Sequence, residues 1–68
     1  MTFKEAQEFQ LPFGKHKGRT LDAVASEDDG LKYIDWLVGQ EFVYGKTKEA
    51  LLAYLGDPSI KKELENLR

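Results

Sequence analysis

Apolar positions in this chain recur at helical spacing in three stretches and at extended spacing in one. Leu31, Ile34 and Leu37–Val38 follow the i, i+3, i+4, i+7 rule and predict a helix from about Leu31 to Val38. Tyr33 and Trp36 read as an extension of that stripe, while Lys32 and Asp35 face water. Ser26-Glu27-Asp28-Asp29 reads as its start, with Ser26 or Asp28 as cap and the acids at the positive end of the dipole. Gly39 closes it. A second helix, Lys48 to Leu55, is expected to be capped by Thr47 and stopped by Gly56, with Ala50, Leu51, Tyr54 and Leu55 as its apolar face. Asp57-Pro58 opens a third, with Asp57 as cap and Pro58 where a missing N–H costs nothing. Its stripe of Ile60, Leu64 and Leu67 is narrow enough to pack on the domain or on a second copy of the chain.

The extended stretch lies earlier. Pro12 biases Leu11 away from helix and cannot occupy a central ladder position. Gly14-Lys15-His16-Lys17-Gly18 reads as a tight turn, because glycine takes positive φ without strain. Arg19-Thr20-Leu21 reads as the returning strand, with Leu21 and Val24 toward the core. A β-hairpin over residues 10–24 follows. Residues 1–10, with Phe3, Ala6, Phe9 and Gln10, fit either a short helical turn or a leading strand. The expected fold is α+β: one small domain over residues 1–68, with a hairpin–helix unit at 10–38 and a helical extension at 46–68.

Composition narrows the function classes. Sixty-eight residues hold one core and no second domain. The absence of cysteine removes disulfide staples, thiolate zinc sites and a cysteine nucleophile, and favours a reducing cytoplasm. Met1-Thr2-Phe3-Lys4-Glu5 lacks the basic-then-apolar signal pattern, and no run approaches the ~18 apolar residues of a membrane span. The net charge of -2 is unevenly laid out. Residues 21–45 carry six acids against one lysine, whereas Lys15, Lys17 and Arg19 form a basic knot just before them. Any attraction to polyanions must therefore be local.

Catalysis finds little support. Asp28 and Asp29 diverge by about 100° on a helix and read as a helix-start charge cluster rather than a metal pair. Ser26 and Thr47 read as caps, not nucleophiles. His16, the single histidine, sits between two lysines that disfavour its charged form, with no orienting carboxylate nearby in sequence. We expect no enzyme activity, no metal and no cofactor. The knot Phe13-Gly14-Lys15-His16-Lys17-Gly18-Arg19 places four N–H donor side chains within five positions, and its glycines let backbone amides approach an anion. Phosphate suits such a set, although a solvated turn tip is the plainer reading. The spacing is not that of a Walker loop. Phe13, Tyr33, Trp36, Phe42 and Tyr44 could stack on bases; Trp36 and Phe13 read more naturally as core in so small a chain.

Leu11-Pro12-Phe13-Gly14-Lys15-His16-Lys17-Gly18-Arg19-Thr20-Leu21, followed by Tyr33-Ile34-Asp35-Trp36-Leu37, resembles the small C-terminal domain of exodeoxyribonuclease X-like proteins. It is equally similar to the stand-alone family labelled putative quorum-sensing-regulated virulence factor. The resemblance covers residues 10–38 and implies a hairpin-plus-helix accessory of nucleic-acid enzymes, not a nuclease. It implies a DNA- or RNA-contacting role for Lys15, His16, Lys17 and Arg19. Asp28-Asp29-Gly30-Leu31-Lys32 departs from the usual Asp-Pro-x before the tyrosine, which reshapes the start of the helix. Small free-standing copies of this kind occur in phage and bacterial genomes, so a phage origin is expected.

The resulting expectation is a cytoplasmic, non-catalytic module. It binds nucleic-acid phosphates through Lys15, His16, Lys17 and Arg19, with base contacts from Tyr33 or Tyr44. Three or four charges predict weak, salt-dependent binding with a log–log slope of about -3. The alternative is a protein-interaction module, or an inhibitor of a nucleic-acid-processing enzyme. It would act through the acidic helix start at Glu27–Asp29 or through the terminal stripe Ile60, Leu64 and Leu67, docking on a protein partner or on a second copy.

Overall fold

A computed structural model describes residues 1–67 of the chain. Those residues form five helices: α1 (Phe3–Glu8), α2 (Leu21–Ala25), α3 (Gly30–Val38), α4 (Gly45–Leu55) and α5 (Pro58–Leu67). The fold is all-helical, which corrects the expected α+β class. The hairpin is replaced by one isolated antiparallel bridge between Gln10 and Thr20.

The reason is local. Thr20, read as a strand residue, is the N-cap of α2, and its Oγ1 accepts from the Ala23 amide at 3.2 Å. Leu21 and Val24, three apart, are both buried, as one side of a helix requires. The ladder stops on the other side at Pro12, which has no N–H to offer. What survives is a closed loop. The Leu11 amide donates to the Arg19 carbonyl at 2.9 Å, Gly18 donates to Leu11 at 2.8 Å, and Leu21 donates to Phe9 at 3.0 Å.

The leading segment takes the helical alternative over Phe3–Glu8, flanked by extended caps at Thr2 and Phe9. Thr2 and Glu5 form a reciprocal capping box on α1. Asp57 caps α5 as expected, accepting from Ser59 at 3.0 Å. Two caps differ from expectation. Ser26 ends α2 instead of starting α3, whose N-cap is Asp29 with no side-chain cap bond. The helix expected at Lys48 starts at Gly45, so Thr47 lies inside α4 and caps nothing.

The core is built around α3, which packs against α2, α4 and α5; α1 lies on α4 and α2. Leu11, Leu21, Val24, Ile34, Leu37, Leu51 and Tyr54 are fully buried. Phe3 stacks on Tyr54 with ring centroids 5.3 Å apart. Ile60 and Leu64 also join this core, so the α5 stripe is spent on its own domain and leaves only Leu67 substantially exposed. Gly30 sets the α2–α3 approach: a Cβ there would collide with the Val24 carbonyl oxygen.

Candidate functional site

The glycine-framed turn is present. Gly14 and Gly18 both have φ of 85°, in the left-handed region that favours glycine. Between them, the Lys17 amide donates to the Gly14 carbonyl at 3.1 Å, and the Arg19 amide to His16 at 3.0 Å. The four side chains of the knot then part company.

His16 turns inward. It is only 8% exposed, and its ring meets Tyr33 edge-on with centroids 5.0 Å apart. Burial, and then the charges of Lys15 and Arg19, hold its pKa below the ordinary histidine value, which favours the neutral ring. Arg19 is ion-paired with Glu27, tying the turn to the α2–α3 link. Both groups are about half exposed, so the pair adds little stability and mainly fixes the arginine. Lys15 places its Nζ 5.3 Å from the Tyr33 ring centroid, a cation–π distance. Lys17 is exposed. Among the described residues, neither lysine has a carboxylate within ion-pair distance.

A cleft of about 670 Å³ opens beside the turn, and its charge is mixed: Lys15 and Arg19 face Glu27, Asp28 and Asp29 across it. The acidic run of the sequence therefore folds back against the basic knot. That placement rests on the reach from the turn to the start of α3, and no local pattern announces it.

Tyr33 is the pillar of this corner. It is half-buried, carries Lys15 and His16 on its ring, and brings its hydroxyl so near Gly14 that a Cβ there would lie 2.8 Å from it. Next to it a row of rings runs across the surface. Tyr33 meets Trp36 at 5.8 Å, Trp36 meets Phe42 at 6.4 Å, and Phe42 meets Phe13 edge-on at 5.6 Å. Trp36 is 54% exposed, Phe42 53% and Tyr44 78%. Phe13 is half-buried, in part as expected, but Trp36 is not core. Helical-wheel arithmetic contains the correction. At about 100° per residue, Trp36 lies roughly 160° around the helix from Ile34, on the side away from the buried residues.

A second groove, of about 350 Å³, runs from Pro12 and Phe13 past Phe42 and Tyr44 to Lys46 at the start of α4. No carboxylate lines it. No group of three or more histidine and carboxylate side chains among the described residues is placed to hold a metal ion. No described helix is long and apolar enough to cross a membrane. No family model, curated protein or solved structure matches the chain.

Proposed function

We propose that this domain is a non-catalytic nucleic-acid-binding module whose phosphate contacts come from Lys15 and Lys17 on the glycine-framed turn. The observation that carries the reading is the junction at Tyr33, where Lys15 lies over the ring and the exposed Trp36 and Phe42 continue from it. Cations and open aromatic faces on one surface are the combination that backbone-tracking nucleic-acid binders use. Arg19 enters indirectly, holding the turn through Glu27. His16, being inside, acts as a wedge that aims the turn rather than as a phosphate donor. Asp28 and Asp29 repel a polyanion from the mixed cleft and confine it to the ring side.

Docking through the acidic helix start or the terminal helix is less favoured. Glu27 is engaged by Arg19, and Ile60 and Leu64 are buried in the domain itself.

Lys15 and Lys17 by themselves predict a log–log salt slope of about -1.5, shallower than four cations would give. Titration of labelled oligonucleotides at low and moderate salt tests this. Lys15→Ala/Lys17→Ala should lose most of the affinity and flatten the salt slope. Binding that is absent at low salt, or untouched by the double substitution, overturns the reading.

A further inference from the structure

We infer that the nucleic acid this surface takes is single-stranded, with unpaired bases lying against Trp36, Phe42 and Tyr44 and the strand running from Lys15 to Lys46. This rests on the nucleic-acid reading above and specifies its ligand. In a duplex the base faces are already stacked on one another, so a protein ring has no face to meet; only an unpaired base offers one. The ring row is built for faces. Trp36, Phe42 and Tyr44 each expose more than half their surface. The Trp36–Phe42 contact is tilted at 58° and the Tyr33–Trp36 contact at 33°, so no parallel stack among these rings uses up their faces.

Charge decides the occupant. The two recesses of this surface differ in sign. The cleft beside the turn sets three carboxylates against Lys15 and Arg19 and is net acidic, whereas the groove at Phe13, Phe42 and Tyr44 holds no carboxylate and ends on Lys46. Lys15 sits at the opposite end of the row, above Tyr33. A path with apolar rings in the middle and one ammonium group at each end complements a chain of bases on a phosphate backbone.

The assay is supplied by the protein. Trp36 is its sole tryptophan, so its fluorescence reports directly on the proposed contact. Oligo-dT and oligo-U should quench it at low salt and bind at least tenfold more tightly than a dA·dT duplex of equal length. Tyr44→Ala and Phe42→Ala should each weaken single-strand binding roughly 5–150-fold, the range for one base stack, and leave duplex affinity unchanged. Tyr44 is 78% exposed, so its truncation leaves the fold intact, which a circular dichroism melt verifies. Equal affinity for single strand and duplex, or wild-type affinity in both ring variants, overturns the single-strand assignment while the lysine contacts stand. Binding of none of the probes overturns both.

Discussion

Gly30→Ala is the most informative single perturbation of the scaffold. Gly30 is the first residue of α3 and has ordinary helical geometry, so alanine's better helix propensity alone would favour the change by up to about 1 kcal/mol. Space decides otherwise. The added Cβ would collide with the Val24 carbonyl oxygen, stand 2.5 Å from the carbonyl carbon and 3.2 Å from the Ala25 Cα. These are backbone atoms of α2, so no rotamer change relieves them. A carbon needs about 3.3 Å from a carbonyl oxygen, so α3 must retreat by on the order of 2 Å. That retreat loosens the α2–α3 packing, to which Leu21, Val24, Leu31 and Ile34 contribute as buried members of one core. A gap of 0.5–1 Å already forfeits about a quarter to a half of a contact's attraction, and each such side chain is worth roughly 1.5–3 kcal/mol. The net cost is about 3 kcal/mol, a large part of the total stability of so small a domain. At about 4–8 °C per kcal/mol the melting temperature should fall by roughly 12–24 °C. Gly18→Ala is the control: its φ is positive but a Cβ there meets nothing within 4 Å. It should lose only about 1–2 kcal/mol, from backbone strain alone. Paired thermal melts and urea titrations read both. A Gly30→Ala protein melting within a few degrees of wild type, or a Gly18→Ala protein equally damaged, would refute the claim that α2 and α3 touch through that glycine.

Three further outcomes follow from the same contacts. His16 has a depressed folded-state pKa, so its contribution is fully present above the unfolded value of about 6.5 and is lost as pH falls through the folded one. Urea midpoints between pH 7.5 and 5 should therefore drop, and His16→Gln should flatten that slope; parallel slopes in the two proteins would contradict it. Tyr54 is pushed up to about 12 by burial and by Asp22, Glu63 and Asp57, so its contribution holds below about pH 10 and fades as pH rises toward 12. Tyr54→Phe should resist alkaline unfolding better than the native chain in melts above pH 10. Thr20→Ala removes the α2 cap and should cost about 0.5–2 kcal/mol in urea titrations, whereas a sheet residue at an exposed edge would lose less.

What could be read from the sequence divides along a physical line. Asp57-Pro58 and the buried residues Leu31, Ile34 and Leu37 carry their own signals, because a cap and a 3.6-residue period are properties of neighbouring positions. Thr20 reads as a strand residue because a β-branched hydroxyl suits a strand, yet it also suits an N-cap, and the spacing of Leu21 and Val24 fits the helix that it caps. Trp36 was legible by angle and obscured by its size, since large rings are expected inside. The Arg19–Glu27 pair and the inward turn of His16 were not legible. Each depends on where the turn lands against the start of α3, which is a tertiary event.

The lone Gln10–Thr20 bridge has a bearing on behaviour in concentrated solution. A ribbon in this segment would have offered neighbouring molecules a row of open amide and carbonyl groups to add onto. With one rung and a helix cap in its place, the described chain has no lateral edge that a second molecule could extend. A second copy approaching this segment finds a helix cap and side chains there in place of a strand edge.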